Sequence, residues 1–163
     1  MKIFKPRTTK ELIKIIKKEI EKQGLNVDLN HIDVSKIDDM SYLFYKSKFN
    51  GDISRWNVSN VKKMQGMFKE SNFNGNIGNW NVSNVIDMSF MFADSKFNQD
   101  ISQWNVRNVK NMKGMFFKSD FNQDISNWDI SNAKDVSYMF KYSKFKYDIS
   151  NWDLSGKWKV EFI

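Results

Sequence analysis

The organisation of this chain is set by one short stretch of sequence, Phe49-Asn50-Gly51-Asp52-Ile53-Ser54-Arg55-Trp56-Asn57-Val58-Ser59-Asn60-Val61. Its pattern returns along the chain at a constant spacing. The tryptophan of this stretch is the clearest marker of the 24-residue repeat, and it recurs as Trp80, Trp104, Trp128 and Trp152. A fixed period of this length is the signature of a repeat architecture, in which each repeat is one structural unit.

Within each unit, the apolar residues follow two different periods. The alternation at residues 56–58 predicts a short half-buried strand, and the three- and four-residue spacing of apolar residues at 61–68 predicts a short helix. Asn60 stands just before that helix, where its side chain could accept hydrogen bonds from the first helix amides. Two phenylalanine columns keep the same step: Phe44, Phe68, Phe92, Phe116 and Phe140, and Phe49, Phe73, Phe97, Phe121 and Phe145.

A single unit is too small to fold by itself. The apolar surface that one unit can bury does not outweigh the conformational entropy lost when its residues are ordered. Units stacked at the spacing of neighbouring strands, about 4.8 Å, would share their apolar columns and remove this deficit. We therefore expect the tryptophans to form a stacked ladder inside the protein, with Ile32 as its smaller first member.

The stretch quoted above, followed by Met64, Met67 and Phe68, resembles the tandem repeat of BspA-like bacterial surface proteins, a divergent branch of the leucine-rich-repeat group. The resemblance covers about residues 28–155. Asn60 stands one place earlier than the usual asparagine, and methionine and phenylalanine replace most leucines. The resemblance implies an α/β solenoid, a leucine-rich-repeat-like right-handed coil of 24-residue strand/short-helix repeats, used for binding and without a shared catalytic residue.

The two ends of such a coil need caps. We predict an amino-terminal capping segment at residues 1–26, the solenoid at 27–155 and a carboxyl-terminal cap strand at 156–163. Thr8 and Glu11 match a capping box and Gly24 is a stop signal, so an amphipathic helix is predicted over 9–23. Its apolar face is expected to cover the first unit. Apolar and charged residues alternate near the carboxyl end, which predicts the terminal strand.

Composition excludes several classes of protein. The length of 163 residues predicts one domain. The absence of cysteine excludes disulfides, thiolate metal sites and a cysteine nucleophile, and the single histidine, His31, excludes a multi-histidine metal site. No apolar run approaches the roughly 18 residues of a membrane span. We expect no catalytic residue, metal or cofactor; a hydrolase using two carboxylates of the aspartate columns is the alternative.

The net charge of +7 is concentrated at one end. Residues 1–24 hold eight Lys or Arg against three Glu, a net charge of +5, which leaves +2 for the rest of the chain. The predicted helix over 9–23 is therefore basic. Besides its capping role, this leaves open the binding of nucleic acid or of an anionic membrane surface.

One column alternates glycine with aromatic residues: Tyr42, Gly66, Phe90, Gly114 and Tyr138. The first interpretation is interlocking, in which each ring lies over the glycine of a neighbouring unit. The second is an exposed aromatic stripe on the helical side, extended by Tyr45, Phe117 and Tyr142, that anchors a protein partner. The candidate partner-binding residues are therefore Tyr42, Tyr45, Phe90, Phe117, Tyr138 and Tyr142.

Another column is acidic at all but one position: Asp28, Asp52, Asn76, Asp100, Asp124 and Asp148. Stacked carboxylates need either hydrogen bonds from turn amides or a bound cation such as calcium. Asn76 can accept from an amide but interrupts a ladder of charge, so we expect amide-bonded turns.

Two further polar columns, the one that contains Arg55 and the one that contains Asn57, are expected to face solvent as a recognition surface or as a ladder whose side chains hydrogen-bond to one another. His31 belongs to the Arg55 column, and we expect it at the surface without a catalytic role.

The expected function is that of a non-catalytic repeat protein that binds another protein or a surface. Nucleic acid is the less expected partner, no small-molecule cofactor and no membrane span are expected, and the oligomeric state is not readable. No secretory signal is visible, so the cytoplasm is the default expectation, whereas the family resemblance implies the cell surface.

Overall fold

The computed structural model describes residues 3–163; the first two residues of the predicted capping segment lie outside this range. Within it there is one α-helix, α1 (Thr9–Gln23). No continuous strand is formed in the described range, and the remaining chain is a succession of turns joined by isolated parallel bridges.

The ends of α1 are set by local hydrogen bonds, and its bounds are those predicted. The hydroxyl of Thr8 accepts from the Glu11 N–H at 3.2 Å, and the Glu11 carboxylate accepts from the Arg7 N–H at 2.8 Å. At the other end, Gly24 donates its N–H to Ile20 O at 2.8 Å with φ at 90°, which ends the helix.

The apolar side of α1 packs on the first unit, as predicted. Leu12 and Ile16 are buried in the same hydrophobic cluster that runs through the repeats. The Thr9 hydroxyl donates to Asp39 O at 2.6 Å, which ties the start of the helix to that unit. The helix therefore covers apolar side chains that the first unit would otherwise expose.

The segment predicted as a short helix is instead the segment that pairs with the neighbouring unit. Met64, Gly66 and Phe68 donate their N–H groups to carbonyls of the following unit, each at 2.9 Å. The intervening N–H groups close turns inside the unit, as in Met67 to Met64 O at 3.1 Å. No i to i−4 ladder can form because alternate amides are used between units.

Backbone conformation excludes a helix at the same place. Gly66 has a φ of 56° and Glu70 a φ of 55°, in the left-handed region, and the equivalent residues of other units repeat this. The predicted strand at 56–58 is also wrong, since Trp56 and Val61 donate to Ile53 O and Val58 O within the unit at 3.2 and 2.9 Å. One continuous series of inter-unit bridges runs through Asp39, Lys63, Asp87, Asn111, Asp135 and Trp158, and a separate bridge joins Asp28 to Asp52.

Five of the six tryptophans, those of the repeat column, form the predicted internal ladder. These five are 3–7% exposed, and Ile32, the first member of the ladder, is 2% exposed; Trp158 lies outside the column and is 72% exposed. The indole planes of Trp56 and Trp80 lie within 6° of each other at 6.4 Å between ring centroids. Each indole N–H donates to a carbonyl of the preceding unit, as in Trp80 to Ile53 O at 3.1 Å. The phenylalanine columns stack in the same way, for example Phe68 on Phe92 at 5.6 Å.

The carboxyl-terminal segment continues the inter-unit pairing. Val136, Tyr138 and Phe140 donate to the carbonyls of Trp158, Val160 and Phe162 at 2.8–2.9 Å. Of the described residues in this segment, Trp158 alone forms a bridge, so the predicted cap strand is a paired turn segment rather than a regular strand.

Candidate functional site

The six predicted aromatic residues lie on the side of the protein formed by the inter-unit pairing segments, and we call Tyr42, Tyr45, Phe90, Phe117, Tyr138 and Tyr142 the aromatic face. Two pairs of rings touch edge to face at 5.9 Å between centroids, Tyr42 with Tyr45 and Phe117 with Tyr142. The other members are joined through lysine side chains rather than by ring contacts.

The interlocking interpretation is confirmed at both internal glycines. A Cβ added to Gly66 would lie 2.4 Å from Tyr42 Cε1, and one added to Gly114 would lie 2.4 Å from Phe90 Cε1. Each ring thus fills the space above a glycine of the next unit. The rings are not hidden by this packing, because Tyr42 remains 46% exposed and Phe90 half-buried. The two interpretations of this column are therefore compatible.

Lysine ammonium groups stand over the rings of the aromatic face. Lys69 Nζ lies 6.0 Å from the Tyr45 centroid and 5.7 Å from the Phe90 centroid, so it bridges two units. Lys141 Nζ bridges Tyr142 and Tyr138 at 4.8 and 5.8 Å. The other lysines that approach these rings are Lys46, Lys113 and Lys118, at 5.1–5.8 Å.

Only two of the five lysines near the aromatic face are paired with a carboxylate. The hydrogen bond with Tyr45, together with the charge of Glu70, raises the pKa of the Lys46 ammonium. The Glu161 carboxylate, hydrogen-bonded to Lys141, raises the pKa of that ammonium in the same way. The three remaining lysines form no ion pair within residues 3–163: Lys69, Lys113 and Lys118. The five lysines near these rings therefore outnumber the two carboxylates that pair with them.

The acidic column forms amide-bonded turns, as expected. Each carboxylate, or the Asn76 carbonyl, accepts from the N–H two residues on, as in Asp52 to Ser54 at 2.8 Å and Asn76 to Gly78 at 3.0 Å. The Ser54 and Ser102 amides lower the pKa of Asp52 and Asp100. A general acid needs a raised pKa, so the lowered pKa values of Asp52 and Asp100 do not fit that role. Across the described range, no three His, Asp or Glu side chains come together as metal ligands.

The asparagines of the Asn60 column do not cap helices, and this prediction is wrong. Their side chains donate rather than accept: Asn84 Nδ2 to Ser59 O at 2.7 Å and Asn108 Nδ2 to Ser83 O at 2.8 Å. The reason is that no helix follows them, while a carbonyl of the preceding unit lies within reach. Where Gly156 interrupts the column, the Lys157 ammonium takes over and donates to Ser131 O at 3.0 Å.

The outward polar columns satisfy much of their own hydrogen bonding. Asn81 accepts from the Ser83 N–H at 3.1 Å and from its hydroxyl at 2.7 Å. The guanidinium of Arg55 lies 3.7 Å from Asp28. These contacts favour the self-satisfied ladder over a recognition surface.

His31 departs from the expectation of exposure. Its side chain is 6% exposed, and Nε2 lies 3.2 Å from Glu19 Oε2 on α1. The Phe4 ring covers it at 5.6 Å between centroids. The column faces solvent in later units, but the amino-terminal segment and α1 bury its first member. The sequence offered one signal for this, since Glu19 is the acidic residue on the otherwise apolar side of the helix.

The outer side of α1 is a row of exposed lysines. Lys10, Lys14, Lys18 and Lys22 recur every fourth residue, and in the part of the chain that the structure describes none of them forms an ion pair. No helix among the described residues has the length and apolarity needed to cross a membrane.

The stacked units define a repeat protein. The chain belongs to the family described as Mycoplasma protein of unknown function, DUF285, whose model matches residues 13–118 and again residues 71–162. The two matches overlap over residues 71–118, a stretch of two repeat lengths. No curated protein and no solved structure matches the chain significantly.

Proposed function

We propose that the protein is a non-catalytic binding module of the BspA-like, leucine-rich-repeat type. In this proposal the stacked units wind as a right-handed solenoid, and the aromatic face binds an acidic segment of another protein. The family match and the 24-residue period support the repeat architecture. An experimental structure in which the units wind with the opposite hand would contradict the assignment of the coil.

The observation that carries the binding proposal is the set of uncompensated lysines over partly exposed rings. Tyrosine is enriched among residues that dominate binding energy, because a large ring contributes contact area at a small cost in side-chain entropy. The rings over Gly66 and Gly114 are held in place by packing, so little further ordering is needed on binding. The lysines add attraction for carboxylates.

The test is affinity capture from the native cell with three forms of the full chain. One is the wild type, and the second carries Tyr45→Ser, Phe117→Ser and Tyr142→Ser, which spare the two rings that lie over glycines. The third carries Tyr147→Ser, a comparably exposed tyrosine outside the aromatic face. We expect an acidic protein to be retained by the first and third forms only, with weaker retention at high salt. Equal retention by all three, or none by any, would contradict the proposal.

A second candidate function is favoured by the lysine row of α1. Because Leu12 and Ile16 are buried against the first unit, the helix cannot insert an apolar side into lipid without leaving its place. Of the two anionic partners, nucleic acid therefore fits the folded protein better. Retention on heparin that is lost when Lys10, Lys14, Lys18 and Lys22 are changed to glutamine would support it. Absence of retention at low salt would dismiss it.

A further inference from the structure

The pairing segment of the first unit, residues 39–46, leaves a row of backbone acceptors open. In the second unit, three alternate carbonyls accept N–H groups of the first unit at 2.9–3.0 Å; they belong to Gln65, Met67 and Lys69. The equivalent carbonyls of the first unit accept no hydrogen bond within residues 3–163; they belong to Ser41, Leu43 and Tyr45. We call these three carbonyls the open acceptor row.

The capping helix uses only the acceptor that precedes this row. In the second unit, Lys63 O accepts from the Met40 N–H at 2.8 Å, whereas the equivalent Asp39 O accepts from the Thr9 hydroxyl at 2.6 Å. Among the described residues, none in α1 hydrogen-bonds to the open acceptor row. The edge of the first unit is therefore satisfied at its beginning and open along the rest.

The open acceptor row continues an interface that the protein already uses. It is the edge by which the second and later units accept the N–H groups of the unit before them. Ser41 and Leu43 are half-buried and Tyr45 is 40% exposed, so the row lies at the surface. An exposed row of unpaired backbone groups is a template on which a segment of another chain can pair.

The pairing of the units indicates what such a segment must supply. The inter-unit bridges are parallel, and alternate N–H groups donate across them. A partner segment therefore runs parallel to residues 41–45 and donates from alternate residues.

The aromatic and glycine column adds a second requirement. The ring residues Phe90 and Tyr138 each follow a unit with glycine in this column, Gly66 or Gly114, and both glycines have a left-handed φ of 56–58°. Tyr42 is the first ring of the column, so a glycine is the residue that fits before it. The carboxyl-terminal segment of a second copy fits less well, because it has Glu161 in this column and its last unit would meet α1.

We propose that the open acceptor row binds a glycine-containing segment of another protein, which adds to the stack as an extra pairing segment before the first unit. Three alternate N–H groups of that segment donate to the carbonyls of Ser41, Leu43 and Tyr45, and its glycine lies opposite Tyr42. The proposal goes beyond the proposed function, because it rests on backbone pairing at one edge rather than on the exposed rings.

The probe is a synthetic peptide with the sequence of residues 62–71, in which glutamate replaces the lysines. In the folded protein this segment donates to the third unit at 2.8–2.9 Å through the N–H groups of Gly66, Phe68 and Glu70. The replacements Lys62→Glu, Lys63→Glu and Lys69→Glu give the peptide a charge opposite to the net +7 of the chain.

The experiment follows the backbone carbonyl carbon resonances of the labelled full-length protein by NMR while this peptide is added. We expect saturable shifts of the carbonyls in the open acceptor row. The matched internal control is the same column one unit on, the carbonyls of Gln65, Met67 and Lys69, which already accept and should not shift. Absence of a saturable shift, or equal shifts in both rows, would overturn the proposal.

A second peptide tests the backbone donors directly. It has the same side chains, but its backbone nitrogens are methylated at the positions of Gly66, Phe68 and Glu70, so it lacks the three donors. It should bind at least about tenfold more weakly. Equal binding of the two peptides would overturn the proposal, as would shifts of the open acceptor row that appear without peptide when the protein is concentrated, since these would identify a second copy as the occupant.

This assay and the affinity capture can fail independently. The peptide titration reports on backbone carbonyls of the first unit, whereas the capture variants remove rings that include Phe117 and Tyr142 in later units.

Discussion

The ring of Tyr42 occupies the space that a side chain on Gly66 would need, with its Cε1 2.4 Å from where a Cβ would stand. The two residues belong to neighbouring units and are one repeat apart. The pairing is thus a contact by which one unit recognises the next. It also keeps one side of the ring at the protein surface.

Replacing Gly66 with alanine should destabilise the protein by more than the same change at Gly156. Both glycines have a positive φ, 56° and 65°, so each variant carries a left-handed alanine at about 1 kcal/mol. Only at Gly66 is there a ring in the way, which should add about 1–3 kcal/mol. Urea denaturation measures the free energy of unfolding of both variants. In a Tyr42→Ser background the two penalties should become equal; a difference that persisted would argue against the interlocking.

Trp80→Phe should lower the free energy of unfolding by about 2–4 kcal/mol, since it removes part of a buried ring and the hydrogen bond to Ile53 O. Trp152→Phe is the control, because Trp152 stands in the last unit of the ladder. Stability in repeat proteins depends on nearest-neighbour interfaces, so a central change weakens two of them. We expect Trp80→Phe to lower the melting temperature and Trp152→Phe mainly to broaden the thermal transition. A larger drop in melting temperature for Trp152→Phe than for Trp80→Phe would contradict the stacked ladder.

Asn84→Asp and Asn81→Asp are the same change in two nearby columns, and they should differ. Asn84 donates to Ser59 O, so a carboxylate there loses the bond and faces a carbonyl oxygen, at a cost of about 1 kcal/mol or more. Asn81 only accepts, and Asp129 and Asp153 already occupy its column, so its change should be neutral within about 0.5 kcal/mol. Lys62 and Lys110 line the same surface depression as Asn84, so denaturation is measured in about 0.5 M salt, which screens their attraction for a new carboxylate. Equal costs would show that the donor role is unimportant.

Acid should destabilise the protein through the aspartate turns. Ser102 and Ser54 amides lower the pKa of Asp100 and Asp52 in the folded state. Their contribution is therefore complete above the unfolded-state pKa and is lost as the pH falls through the folded one. Asp100→Asn, which copies Asn76, should reduce the loss of stability between neutral pH and about pH 3. Thermal melts at both pH values test this, and an unchanged acid sensitivity would count against the turn amides as its cause.

Calcium should leave the melting temperature unchanged. The oxygens of the acidic column already accept turn amides, and Asn76 interrupts the ladder of charge. A melt in millimolar calcium and one in a chelator should coincide. A rise of several degrees with calcium would revive the cation ladder that the column first suggested.

Much of the candidate site was predictable, because columns of a repeat identify which residues share a side of the protein. The packing of the Tyr42 ring over Gly66 was predicted because aromatic residues alternate with glycines in their column. The lysines over the rings were not predicted, since Lys69 reaches two units at once and its position depends on their stacking. The burial of His31 was not predicted, because the later members of its column are exposed. Only the first unit is covered by α1 and by the amino-terminal segment, and the column does not show this.

The sequence alone determined the repeat length, the buried tryptophan ladder and the bounds of α1. The bounds of α1 depend on local capping residues. The repeat length and the ladder depend on apolar residues that recur every 24 positions, and any stacking of the units must bury those residues. Only the tertiary structure decided which segment of each unit pairs with the next, and with it the replacement of the predicted helix by turns. A backbone amide can be satisfied within its own unit or by its neighbour, and that choice depends on the distance between units rather than on the residues nearby.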